Sequence, residues 1–298
     1  MKKTLKSSEY ILLPQAFREW LELLNYSGGS MQVLPGHVQE FLYYQEQQGK
    51  PSLVQLEAID ATAFIQHLQQ QTGERTGRPF SAGHINKYIQ ALNLFSQYIR
   101  ETGRSSTGFV LERLPETRGK PAWLTKREIQ TLYEVTGDSV LGIRDRAMLA
   151  LYYGCGLRLN EGANLELRDI ISDRKLLHVR KGKHYKERYV PIAAKSYKEL
   201  RLYMDYGRPL LLQEYKTEAF FIDANKGHPM QKQSLYVRIK QLMKRAGIKK
   251  KVGMHTLRHS IATHLLQSGM KLEKIQAFLG HGDLDSTQIY THLANESI

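Results

Sequence analysis

Between Gly103 and Ala122 the chain loses the spacing that organises everything before it. The stretch holds Ser-Ser-Thr-Gly, Pro115, Gly119 and Pro121, residues that punctuate regular structure and do not propagate it. Such a break predicts two separately packed bodies, residues 1–103 and 123–298, joined by a linker over 104–122. At 298 residues and 41% apolar content, the chain has material enough for two cores.

The first body reads as helices. Phe17, Trp20, Leu21 and Leu24 share one face of a helix over 11–24, which Tyr26-Ser-Gly-Gly-Ser ends. Helices over 38–48 and 59–71 follow, separated by Gly49-Lys-Pro51, and residues 72–79 form a polar loop. Ser81 then caps a long helix carrying Ile85, Ile89, Leu92, Phe95 and Ile99, which Gly103 terminates.

Beyond the linker, Thr125 and Glu128 have capping-box spacing, and residues 145–153 continue as an apolar helix. The period then changes. Leu177 and Val179, then Tyr189, Val190 and Ile192, flank the polar run Lys181–Arg188 and predict a hairpin. Residues 219–223 predict one further short strand before helices resume. The fold class expected is mainly α with a small β-sheet, an α+β chain.

The net charge of +14 points toward a polyanion. Its distribution is more informative. Residues 1–120 carry 13 Lys/Arg against 11 Asp/Glu, whereas residues 121–298 carry 30 against 18. No apolar run approaches the ~20 residues of a membrane span, and no secretory signal is expected behind Met1-Lys-Lys. Cys155, the single cysteine, fits a reducing, cytoplasmic compartment and reads as a small core residue.

The basic half also holds the chemistry: His255-Thr-Leu-Arg258-His259, Leu279-Gly-His281 and Gln288-Ile-Tyr290-Thr-His292. An arginine offsets charge on phosphoryl oxygens, imidazoles exchange protons, and a phenol can attack phosphorus. His255 and Arg258 are three apart and share a helix face, while Leu257, Ile261 and Leu265 form a separate apolar row expected to bury the helix and leave the His/Arg face free for a cleft. The pair His255/His259 could hold zinc at i, i+4 spacing. It lacks a glutamate base, however, and has Arg258 beside it, so no metal is expected. Arg158 follows Gly154-Cys-Gly156, and Glu161 three residues on can hold its guanidinium. Lys183 lies at the hairpin tip, where an ammonium could protonate a departing alkoxide.

Gly156-Leu-Arg158-x-x-Glu161, Lys183, His255-x-Leu-Arg258-His259, Leu279-Gly-His281 and Tyr290 together resemble the tyrosine recombinase (phage integrase) family, motif by motif and in order. The likeness covers most of residues 123–298 and, more loosely, a helical core-binding domain before them. The two-domain layout is similar to that of Xer-type recombinases.

The resemblance implies a C-shaped clamp on duplex DNA and strand exchange through a 3′-phosphotyrosine, for integration or excision of a mobile element or resolution of DNA dimers. Tyr290 would be the nucleophile, and Arg158 and Arg258 would stabilise the transition state. Lys183 would act as general acid, His255 in acid/base exchange, and His281 as a phosphate hydrogen-bond partner. No cofactor or metal is implied. The partners would be double-stranded recombination sites, three further copies of the chain in a tetramer on two sites, and a homologous partner recombinase in some systems. No membrane is implied, and the protein would sit in the cytoplasm, on the nucleoid when DNA-bound.

Further DNA contacts are expected from His84, Lys87 and Gln90 on the long N-terminal helix, and from Lys181, Lys186 and Arg188 on the hairpin. Three departures stand out, one being the segment Tyr203–Lys226, which reads as longer and less regular than a minimal family member needs. Gly162 weakens its helix by roughly 1 kcal/mol relative to alanine. Only eight residues follow Tyr290, so the family's C-terminal docking element would be short. The alternative class is a DNA-binding regulator of this fold that does not cut. A metal-dependent nuclease would need clustered carboxylates, and no motif supplies them.

Overall fold

A computed structural model describes residues 4–73, 77–105, 108–116, 122–180, 187–250 and 252–280. Its contacts separate two units, residues 1–119 and 120–298.

The first unit packs four helices, α1 (Ser8–Leu23), α2 (Gly28–Gln47), α3 (Ala58–Gln70) and α4 (Ala82–Glu101). Phe17, Phe41, Phe64, Phe95 and Tyr98 fill its core. Ser81 caps α4 as expected, accepting from the His84 amide at 3.2 Å. Helix α2 begins ten residues before the periodicity predicted. Ser27 accepts from the Ser30 amide at 3.1 Å, so the Gly28-Gly29 pair read as a break lies inside a capped first turn.

Residues 108–116, expected as linker, are strapped along α4. Asn93 pairs with the Leu111 amide at 2.8 Å and its carbonyl at 3.0 Å, and Asn86 does the same for Leu114 at 2.8 and 2.9 Å. A carboxamide carries one donor and one acceptor side, so it substitutes for a neighbouring strand. Phe109, its amide bonded to Ser96 Oγ at 2.7 Å, is buried in the core.

In the second unit, Thr125 and Glu128 form the expected reciprocal cap of α5 (Lys126–Glu134). Helix α6 (Val140–Leu149) runs into a widened π-turn at Ala150–Gly154, and Leu149, Ala150, Leu151 and Tyr152 across the junction are all buried. The chain then makes α7 (Leu159–Ala163) and an antiparallel sheet of β1 (Ile170–Ile171), β2 (Leu176–Val179) and β3 (Arg188–Pro191). Leu177 faces Val190 and Val179 faces Arg188, so one side of the hairpin is turned into the core.

Residues 219–223 do not join this sheet. They make isolated bridges at Glu166–Ala219 and Ile222–Pro229, with Phe220, Phe221 and Ile222 buried. The remaining α-helices among the described residues are α8 (Ala194–Leu202), α9 (Arg208–Leu212), α10 (Lys232–Arg245), α11 (Met254–Gln267) and α12 (Leu272–Leu279). Among the described residues, no helix is long and apolar enough to cross a membrane.

Candidate active site

Arg158 stands in extended backbone immediately before α7, and Glu161 lies in that helix's first turn. The carboxylate takes the Arg158 amide at 2.8 Å and the Arg158 guanidinium at 2.8 Å, the pairing that the three-residue spacing predicted. Gly162 is no defect in this setting. A Cβ there would collide with the hydroxyl of buried Tyr152, so the helix needs glycine to approach the π-turn.

Two further arginines converge on Glu161. Arg188 grips both carboxylate oxygens with NH1 and NH2, each at 3.0 Å, and Arg258 NH1 lies 3.9 Å away. Three guanidinium groups thus surround one carboxylate, leaving a net charge of +2. Burial alone would raise the Glu161 pKa, but the hydrogen bonds and charge of Arg188, with the hydrogen bonds of Arg158, hold it at about 2. Glu161 is an anion throughout the physiological range.

The same three arginines hold the end of α12. Arg188 Nε donates to the Phe278 carbonyl at 3.1 Å, Arg258 NH2 to Leu279 at 2.6 Å, and Arg158 NH2 to Gly280 at 3.1 Å. A helix C-terminus leaves its last carbonyls without helical donors and carries partial negative charge, and guanidinium groups answer both. Gly280 ends the helix in left-handed backbone, where a Cβ would lie 2.8 Å from Arg188 Cδ. His281 is the next residue in the chain.

Arg258 is not on an open face, contrary to the helix-row expectation. It is buried, and its second bond runs to the Gly156 carbonyl at 2.6 Å. Within the predicted apolar row, Leu257 is fully buried while Ile261 and Leu265 are only partly so. His255, one turn earlier, does reach solvent. The surrounding protein, then the charges of Arg258 and Arg158, lower its pKa below the usual histidine value, so the neutral ring that can accept a proton is favoured.

Arg188, expected to touch DNA, lies inside the protein. It is 8% exposed, and the two-residue period of β3 puts it on the same inward side as Val190. That alternation was the available signal for its burial. Lys87 and Gln90 are exposed on α4, whereas His84 is half-buried, its ring 4.7 Å from that of Phe80. Tyr290, His281, Lys183, Lys181 and Lys186 lie outside the described residues. At the foot of the hairpin, Arg180 pairs with Glu166 at 2.9 Å and Asp169 at 3.1 Å, and His178 meets Glu187 at 2.6 Å.

The sequence itself matches a known family. Residues 122–297 fit the model of the phage integrase family, and the chain belongs to that family. Its class is that of tyrosine site-specific recombinases. Tyrosine recombinase XerD of Staphylococcus aureus is 33% identical over 284 residues, covering 94% of each chain. Among solved structures, the XerH site-specific recombinase bound to palindromic difH substrate superposes with a TM-score of 0.72. It is 19% identical, covering 98% of this chain and 89% of that one. A tyrosine-to-phenylalanine variant of the Tn1549 transposon integrase, residues 82–397 with transposon right end DNA, gives 0.71 at 17% identity over 96% and 97% of the two chains.

Proposed function

We propose that the protein cuts and rejoins DNA at specific sites through a covalent 3′-phosphotyrosine on Tyr290. The observation that carries this reading is the guanidinium cluster: part-buried Arg158 and buried Arg258 share one carboxylate and one helix end with a net positive charge, next to a neutral-leaning His255. Preorganised charge of this kind stabilises a phosphorane transition state without a metal.

In the proposed step the Tyr290 oxygen bonds to phosphorus and the bond to the 5′-oxygen breaks. His255 accepts the phenolic proton, Lys183 supplies a proton to the leaving 5′-oxygen, and His281 bonds a phosphate oxygen. One phosphoester replaces another, so rejoining to a partner strand needs no nucleotide cofactor. On this reading four copies act on two duplex sites, each clamping its DNA, with or without a homologous partner recombinase. The task is integration or excision of a mobile element, or resolution of DNA dimers, in the cytoplasm.

The test is covalent capture on sheared, nicked genomic DNA of the host, in the presence of EDTA. Wild type should give a protein–DNA adduct stable to detergent, and Tyr290→Phe should give none. An adduct that persists in the Phe variant removes Tyr290 as nucleophile, and one that forms only with divalent metal removes the mechanism. The recovered fragment then supplies the recombination site.

A further inference from the structure

Arg188 takes no part in the chemistry described above, yet it is among the most heavily engaged side chains of the site. Its guanidinium makes a two-pronged bond to Glu161 and a third bond to the Phe278 carbonyl, and only 7% of the side chain is exposed. A residue so enclosed cannot reach a duplex.

Its effect on charge is specific. Glu161 bonds Arg158 and lies within ion-pair distance of Arg258, so an otherwise unanswered carboxylate would draw on the two arginines that phosphate needs. With both oxygens held by Arg188, the negative charge is met from the side of β3. Without Arg188, two guanidinium groups would face one carboxylate and the net charge would fall from +2 to +1.

We infer that Arg188 is a positioning residue for strand cleavage, acting through Glu161: it neutralises that carboxylate so that the charge and geometry of Arg158 and Arg258 serve the scissile phosphate. The inference rests on the recombinase reading and makes a claim separable from it. If Arg188 works only through Glu161, its removal should matter when Glu161 is a carboxylate and cease to matter when it is an amide.

The experiment is a double-mutant cycle on the full chain with the genomic fragment captured by wild type. Single-turnover adduct formation is read at saturating DNA, and affinity is read separately by fluorescence anisotropy. Arg188→Met should slow adduct formation about 100-fold, the scale of losing one preorganised donor, with the dissociation constant within about threefold of wild type. In a Glu161→Gln background the same substitution should change the rate by less than about threefold, because full coupling leaves it nothing further to remove.

Weakened DNA binding with an unchanged saturated rate would make Arg188 a DNA contact and overturn the inference. So would a double variant more than about tenfold slower than Glu161→Gln, since the two effects would then be independent. If Arg188→Met does not fold, the comparison of Glu161→Gln with the double variant decides alone, because that pair leaves no uncompensated buried carboxylate. Absence of any adduct in wild type sinks the recombinase reading itself and the inference with it.

Discussion

In the N-terminal unit the buried polar side chains among the described residues are uncharged: Gln45, Asn86 and Ser96. In the C-terminal unit Arg144, Asp145, Asp169, Arg188, Arg208 and Arg258 are buried. The first unit uses polarity to complete its backbone hydrogen bonding, as when Asn86 and Asn93 strap residues 108–116 to α4. The second gives its buried ions polar partners, although Arg144, bonded to the Ile222 carbonyl through NH1, has none at Nε among the described residues. Asp145 takes Arg238 at 2.9 and 3.0 Å, Arg208 is spent on the Ala219 carbonyl at 2.9 Å, and Glu161 serves three arginines. A buried ion pair contributes little net stability, whereas a broken one is costly. The contrast places the ionic interior where phosphate chemistry is proposed and leaves the other unit an ordinary apolar core.

The comparison breaks first if the two kinds of buried polarity cost the same to remove. Asp145→Asn strips countercharge from Arg238 and from buried Arg144, and should cost roughly 3–5 kcal/mol. Asn86→Ala leaves the Leu114 amide and carbonyl unpaired and should cost about 1–3 kcal/mol. The two tryptophans, Trp20 and Trp123, fall in different units, so replacing either by Phe leaves fluorescence reporting on one unit during urea unfolding. Equal losses would show that the ionic set is no special liability.

Acid should separate the units next. Burial, with His84 and Lys87 adding to it and Glu40 opposing, lowers the His37 pKa to about 4. The unfolded histidine takes up its proton first, so this contribution to the N-terminal unit is present above about pH 6.5 and lost as pH falls toward 4. Glu161, also depressed on folding, stabilises the C-terminal unit above about pH 4.5 and loses that contribution as pH falls toward 2. The Glu161 window corresponds to on the order of 3 kcal/mol. Hydrogen exchange on the full chain, comparing wild type with His37→Asn and Glu161→Gln, should show the two losses in that order. An unchanged acid response in Glu161→Gln would contradict the geometry of the cluster.

The smallest effect should come from the surface. Lys87→Ala should weaken DNA binding, reduce the salt slope by about one, and leave the saturated cleavage rate unchanged. A fall in that rate would mean that α4 contributes more than a phosphate contact.

These differences also mark what the sequence could disclose. Ser81 and Thr125 were legible as caps because a cap is decided within four residues, and the Arg158–Glu161 pair because it spans three. The early start of α2 was not, because glycines that break a helix inside it are tolerated in a capped first turn. Residues 219–223 have strand-like apolar character, but their bridges go to Glu166 and Pro229, and tertiary position alone decides that. Charge and position in the polar run predict a DNA contact for Arg188, which the structure buries. Its partner lies 27 residues away, and only the β3 alternation beside Val190 hinted at burial. Arg258 misled similarly, since a row count treats every arginine as polar surface although three backbone carbonyls here are built to receive guanidinium groups.

The most direct measurement is the chemical location of the linkage. Wild-type protein captured on genomic DNA is digested with nuclease and protease, and the peptide that carries residual nucleotide is sequenced by mass spectrometry. The expected result is a 3′-phosphate ester on Tyr290, with yield lost in Arg258→Ala. Nucleotide on any other residue, or undiminished yield without that guanidinium, would contradict the reading of the cluster as the machinery of strand transfer.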